Sequence, residues 1–469
     1  MGRHSRRIES QRQLTIPIPR SESFQHLHAF NPSYTAPQSG GKDKVRHSGR
    51  DRPRDTQSLV PPPFLKRLAL WLACASAVAI LLSIAVSQIL LALALVVLLL
   101  SGLPLRWPRI SIPLGLFLAW TLVALAFSPD PRFGIPSVRK MVVYLMLLIV
   151  YSSVRTLAEA RCLVLAWIGV GTFTAGRGLV QYMAHIAGAR AAHEDFYRFY
   201  IADRIRGFMS HWMTFSGQEL YILLLTLAVL LYAPKVKRYL WLLLPCGMAV
   251  GLALVLSQTR TVWVAAVAAT FYLLWEWRKW AAIAMPIVLA LGLLVAPGVI
   301  QERARSFVVP QGETDSNEHR TIVWRTGWQM IKTHPIVGVG PEEIRKSAVF
   351  YAYLPSTIPL PLPEGDYQHL HNIYIHYAAE CGVPAAIFLT AALVMGLVDF
   401  RRALEALPPG RSLRRFLLHA AIACLIGTMV GGLFEKNLGD TEVLTMFLAI
   451  MCLGYVAGLP EDAKAAVTG

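Results

Sequence analysis

The chain has 469 residues, 55% of them hydrophobic and only 16% charged, against roughly 25% charged in an average soluble domain. Together with a mean hydropathy of +0.47, this excludes a soluble globular enzyme. Forty-five Lys and Arg face 28 Asp and Glu, a net charge of +17, so an acidic partner, nucleic acid or anionic lipid, is the first expectation. The cysteines Cys74, Cys162, Cys246, Cys381, Cys424 and Cys452 all lie in apolar runs. They are expected as small buried hydrophobes, not as a disulfide framework or zinc ligands.

Residues 1–64 are polar, basic and rich in Ser, Pro, Gln and His, a composition that cannot offset the entropy of ordering. A disordered cytoplasmic tail is expected, with clusters such as Arg3, Arg6 and Arg7 touching anionic lipid. No apolar stretch precedes Leu68, so a cleaved signal peptide is not expected and the first hydrophobic run should remain as an anchor. From there to about residue 460, apolar runs alternate with short charged punctuation. Compared with the ~20 residues a helix needs to cross a bilayer, about twelve runs qualify: 68–86, 89–103, 110–127, 138–154, 162–184, 212–233, 239–256, 262–277, 281–300, 373–398, 416–434 and 443–459. Lipid cannot satisfy backbone polar groups, and the runs are too continuous for barrel strands, so the fold class is all-α and polytopic.

Orientation follows from Lys and Arg between the runs. One set of short loops carries Arg106, Arg109, Arg155, Arg161, Lys235, Lys237, Arg238, Arg278, Lys279 and the group from Arg401 to Arg415, whereas the opposite short turns carry only Arg260 and Lys436. That asymmetry predicts both termini, including a short tail at 461–469, in the cytoplasm. It also absorbs much of the positive charge and argues against nucleic-acid binding. Two external segments are too long for turns, about 185–211 and about 301–372. In the second, Arg320 to Thr333 is expected as a helix presenting Trp324, Trp328 and Ile331 on one face, docked on the membrane domain. His334-Pro335-Ile336-Val337-Gly338-Val339-Gly340-Pro341 must then be a turn.

Ionisable residues at or inside a membrane boundary are costly, about 2.5–3.5 kcal/mol for Arg at a helix centre. Arg260, in Ser257-Gln258-Thr259-Arg260, has no carboxylate nearby in sequence. It is either a snorkelling anchor or a functional cation. Arg177 lies inside the fifth run, and Arg204 and Arg206 stand just ahead of the sixth. Together these guanidinium groups could line an external cavity suited to bidentate phosphate binding. The other cluster is Gln368-His369-Leu370-His371-Asn372 at the start of the tenth run. A histidine there can cap a helix, or accept a proton from a hydroxyl at neutral pH. His369 and His371 are not the i, i+4 pair of a helical zinc site and no HExxH is present, so no metal is expected. Glu219, Glu380 and Glu435 are expected to pair with arginines as structural clamps.

Ser257-Gln258-Thr259-Arg260, then Arg320 through Trp324 to Met330, His334 to Gly340, His369-Leu370-His371-Asn372 and Glu380-Cys381-Gly382 resemble, in order and topology, the O-antigen ligase and polymerase superfamily. The resemblance covers roughly residues 252–388. It implies a GT-C-like membrane fold with one large periplasmic loop containing helices. It also implies glycan transfer on the periplasmic face of a Gram-negative inner membrane, from an undecaprenyl-diphosphate carrier to lipid A-core, without nucleotide or other cofactor. The carrier-linked donor, the acceptor and membrane lipids are then the partners. Relatives that use a divalent cation carry paired carboxylates, and no external Asp-x-Asp is present. Arg260, with Arg206 or Arg204 and Arg177, would stabilise the leaving diphosphate. His371 would accept the acceptor's proton, and inversion at the anomeric carbon would follow. His334, Arg320, His369 and Asn372 would support substrate or loop. A polymerase or a protein O-oligosaccharyltransferase shares these motifs. A secondary transporter or flippase is the alternative of a different class, although no inverted repeat is visible.

Overall fold

A computed structural model describes residues 63–307, 316–363, 365 and 367–459. The expected tails at 1–64 and 461–469 lie almost wholly outside the described residues. Helices follow one another from α1 (Pro63–Ala79), α2 (Ile84–Leu100), α3 (Ser111–Ala126), α4 (Pro131–Lys140), α5 (Leu145–Ser153) and α6 (Leu157–Ala192) to α7 (Phe196–Ala202), α8 (Trp212–Tyr232) and α9 (Leu240–Leu256). The second half holds α10 (Arg260–Trp277), α11 (Lys279–Val295), α12 (Gly298–Arg305), α13 (Ser316–Thr333), α14 (Ser347–Ala352), α15 (Ile373–Cys381), α16 (Val383–Glu405), α17 (Leu413–Gly432) and α18 (Thr441–Gly458). Among the described residues, seven helical segments are long and apolar enough to cross a membrane, and α2, α3 and α11 are apolar but shorter. The protein is a polytopic, all-helical membrane protein.

Helices α8, α17 and α18 form the centre, and their apolar residues are buried nearly all round, as a helix surrounded by protein and lipid permits. Glycines allow close approach: Gly171 of α6 faces Ile222 of α8, and a Cβ at Gly171 would come within 2.6 Å of that side chain. Outward faces such as Ile287, Leu291 and Leu294 on α11 remain exposed. The cysteines are free; Cys381, Cys424 and Cys452 are buried, but Cys162, on the outer side of α6, is exposed.

The structure corrects three boundaries. The first two runs divide at Ile80–Ser83, not near residue 87, because Ser83 caps α2 through its side chain; Ile80 and Leu81 are buried, so the turn is invisible to hydropathy. The expected loop at 185–211 is largely helical, α6 continuing to Ala192 and α7 following. The tenth run is two helices broken at Gly382, whose φ of +86° and ψ of 164° suit only glycine. The His334–Gly340 turn docks into that break: the N–H groups of Val339 and Gly340 donate to the carbonyls of Ala379 and Glu380, and Val383 N–H donates to Pro335. Trp120 of α3 donates to the carbonyls of Ile336 (3.2 Å) and Cys381 (3.1 Å), clamping both sides.

The long segment after α11 builds a second hydrophobic cluster of its own, with Val323, Met330, Ile344, Phe350 and Leu370 buried against Ala379. Helix α13 forms and turns Ile331 inward as expected, with Trp324 packed against the cluster; Ile322, Val323, Thr326 and Met330 complete that face, and of the expected stripe Trp328, 55% exposed, points out. Gly327 marks the closest approach to α15, since a Cβ there would lie 2.5 Å from Leu370 and 2.8 Å from Ile375. Helix α13 thus packs its small residue on α15 and leaves Trp328 outside the contact.

Candidate active site

Helix α10 separates two differently charged ends. Near its last turn Glu276 accepts from Arg401 (2.8 Å), and Arg109 pairs with Asp399 (2.7 Å) close by on α16. Arg260 opens the helix at the other end, about 27 Å away at 1.5 Å per residue. There Gln258 takes a left-handed φ of 51°, which turns the chain sharply out of α9. The guanidinium of Arg303 on α12 donates to the Gln258 carbonyl (2.9 Å) and holds that turn. Arg260 is itself 5% exposed. Its guanidinium donates to the Ser306 carbonyl and hydroxyl and to Asn317 Oδ1 (3.1 Å), so its position is set before any ligand arrives.

A cavity of about 130 Å³ opens at this end, lined by Arg204, Arg260, Arg303, Arg320, His319 and His371, with Trp212, Met213, Thr259 and Thr261. Arg204 lies over the Trp212 ring at 4.8 Å, and Arg320 reaches the Thr261 hydroxyl at 3.4 Å. Burial, with Arg303 and Arg260 nearby, pushes the Arg204 guanidinium down to about 9. Burial also lowers Arg303. Four cations crowded into a partly desolvated hollow repel one another, and an anion with several oxygens would relieve that cost.

On the far wall stands His371. Its φ of 46° is left-handed, and the neighbouring Asn372 caps α15 by accepting from the N–H groups of Tyr374 and Ile375. Its amide donates to the Leu433 carbonyl (2.9 Å). The rings of His369 and His371 lie 4.0 Å apart. Both reach Glu435, beyond α17: Nδ1 of His371 is 3.0 Å from one carboxylate oxygen and Nε2 of His369 is 3.3 Å from the other. Burial alone would raise the Glu435 carboxyl, but the two imidazoles hold it below the ordinary carboxylate range. The Nδ1 contact leaves Nε2 as the His371 nitrogen available for exchange with a hydroxyl. His369, His371 and Glu435 are also the residues among those described that could hold a metal ion.

Of the residues singled out in the sequence, Arg260, Arg204, Arg320 and His371 line one cavity, and His369 lies beside it. Arg177 does not line it: its Nε and the amide of Gln181, one turn on, both donate to the Gly207 carbonyl (2.8 and 2.9 Å). They secure the strap before α8. Arg206 is exposed and faces Asp203 at 3.6 Å. His334 bonds the Tyr353 hydroxyl at 2.7 Å, inside the second cluster. None of the three acidic residues pairs with arginine: Glu219 accepts from Thr174, Glu380 lies 3.0 Å from His376, and Glu435 meets the histidines. Arg303, His319 and Glu435 were missed as site residues. Glu435 is 64 positions from His371, a separation that no local motif spans, whereas Arg303 and His319 sit among ordinary loop polarity.

Residues 245–390 match the family Wzy_C, described as O-Antigen ligase. The matched stretch holds Arg260, Arg303, Arg320 and His371, while Arg204 and Glu435 fall outside it. Comparison of the chain with curated proteins finds no match.

Proposed function

From a chain that carries this O-antigen ligase family domain, a family that includes related polymerases and oligosaccharyltransferases acting on lipid-linked glycans, we propose an O-antigen ligase. It transfers polysaccharide from undecaprenyl diphosphate to lipid A-core on the periplasmic face of the inner membrane. The observation that carries this reading is the convergence of Arg204, Arg260, Arg303 and Arg320 with His371 on one cavity. The arginines hold the donor's diphosphate. His371 Nε2 takes the acceptor hydroxyl's proton as the new C–O bond forms at the anomeric carbon, on the face opposite the departing diphosphate. The anomeric C–O bond breaks with its electron pair on the phosphate oxygen, where preorganised guanidinium groups stabilise the growing charge. Glu435 keeps the His371 ring in position and stabilises the imidazolium that results. The glycosyl–diphosphate linkage that breaks supplies the driving force, and the cation cluster supplies the charge stabilisation, so the reaction as proposed calls for neither nucleotide nor metal.

Purified full-length protein, given carrier-linked polysaccharide and lipid A-core in detergent, is expected to form the linked product without ATP, equally with and without chelator. A requirement for an ion gradient with no covalent product would reassign the protein as a transporter. In cells lacking it, full-length polymer should accumulate on the carrier; accumulation of single repeat units instead would mark a polymerase.

A further inference from the structure

The geometry of the histidine pair points to more than proton transfer. One ring nitrogen each from His369 and His371 and one Glu435 oxygen lie within 4.8 Å of one another. Ligands held about 2.0–2.1 Å from a tetrahedral ion stand about 3.3 Å apart. The two imidazoles stand at that spacing from the carboxylate, His369 3.3 Å from one oxygen and His371 3.0 Å from the other, so a small shift of the carboxylate brings three donors around one ion. The three side chains are 25%, 10% and 12% exposed, so none is sealed off, and His371 also lines the arginine cavity. Two imidazoles and one carboxylate suit borderline dications such as Zn²⁺ or Co²⁺, and exclude Mg²⁺ and Ca²⁺, which take oxygen ligands.

We infer that His369, His371 and Glu435 form an inhibitory binding site for a dication of the zinc class. This rests on the role given to His371 above. The ion takes the Nδ1 lone pair and the carboxylate that otherwise orient the ring. Metal on Nδ1 displaces the proton held there; in the neutral ring that proton sits on Nε2, which then has no lone pair for the acceptor's proton, so occupancy stops the transfer. The nearby arginines oppose a second positive centre, so binding is reversible and weaker than in a closed structural zinc site.

The test uses metal-stripped, full-length protein with no donor present, because the donor's diphosphate would itself chelate the ion. Titration with Co²⁺ should produce the visible absorbance of a tetrahedral N/O site at one ion per chain, displaced by Zn²⁺ and untouched by Mg²⁺. His369→Asn and Glu435→Gln, on separate elements, should each weaken it by at least about tenfold. Zn²⁺ should also protect His369 and His371 of the unaltered protein from imidazole-modifying reagent, a readout independent of variant folding. In the transfer assay, buffered Zn²⁺ should stop turnover and chelator should restore it. Absence of the absorbance, its persistence in both variants (binding at tail residues such as His26 and His28), lack of protection, or faster transfer with Zn²⁺ would each overturn the inference. If Co²⁺ binds as stated but metal-free protein transfers no glycan, the site stands and the functional reading falls.

Discussion

Glu435→Gln isolates the charge behind His371 with almost no change in shape. The carboxylate serves two rings at once, 3.0 Å from His371 Nδ1 and 3.3 Å from His369 Nε2. An amide offers one accepting oxygen and one donating nitrogen, so one ring must face a donor. Where that ring is His371, its proton moves to Nε2 and the base is lost. Where it is not, the imidazolium formed in the transition state still loses an ionised partner. At an effective dielectric of ~20, opposite charges 4 Å apart attract by about 4 kcal/mol, close to three decades in rate at 1.36 kcal/mol each. Since water and neighbouring dipoles recover part of this, a fall of about 10²–10³ in kcat is expected, inside the range for losing a positioned acid–base group. The measurement is single-turnover transfer at saturating donor, alongside membrane abundance and elution profile. Transfer within a few-fold of the unaltered protein, at normal abundance, would refute the pairing as the source of His371 reactivity.

The same variant has a stability signature. The folded-state pKa of Glu435 is depressed from its ordinary 4.5, so its pairing stabilises the fold above that pH and the benefit disappears as pH falls through the lower folded value. Thermal unfolding followed from neutral pH to below about 4.5 should show a shallower acid loss in Glu435→Gln. Arg260→Ala should cut transfer by about 10²–10³ at normal membrane level, and Arg260→Lys should restore little, because a point charge cannot reproduce the fork that engages Ser306 and Asn317. His371→Ala should cost about 10²–10⁴; near-normal turnover would remove it from the chemistry. Gly382→Ala should destabilise by at least about 1–3 kcal/mol from its backbone alone, since the added Cβ also runs into the Ile336 carbonyl. Reduced abundance with unaltered turnover per folded molecule is the expected readout.

The membrane class, the helical composition and most helix positions were legible from the sequence, because lipid and protein interior demand the same apolar runs whatever the partners. The motifs around Arg260 and His371 were legible for a similar reason: a charge at a bilayer boundary stands out against its neighbours. Charge asymmetry between loops likewise predicted that the two residues share one end. Where an apolar stretch hid a turn, as at Ile80–Ser83 and at Gly382, hydropathy was blind, because a buried turn is as apolar as a helix. The spacing on α13 placed Trp324 and Ile331 correctly but not Trp328, since the line of closest approach is chosen by the residue that lets two helices touch, and that residue is Gly327.

Only the tertiary structure decided which cations serve the cavity and which serve the scaffold. Arg177, Arg204 and Arg206 look alike in sequence, yet one holds Gly207, one lines the cavity and one faces Asp203 in solvent. Glu435 meets the histidines because α15 and the end of α17 pack together, a contact made by chain segments 64 residues apart. Composition and periodicity are properties of single segments. A cluster of charges held at fixed distances belongs to several segments at once, and exists only after they pack.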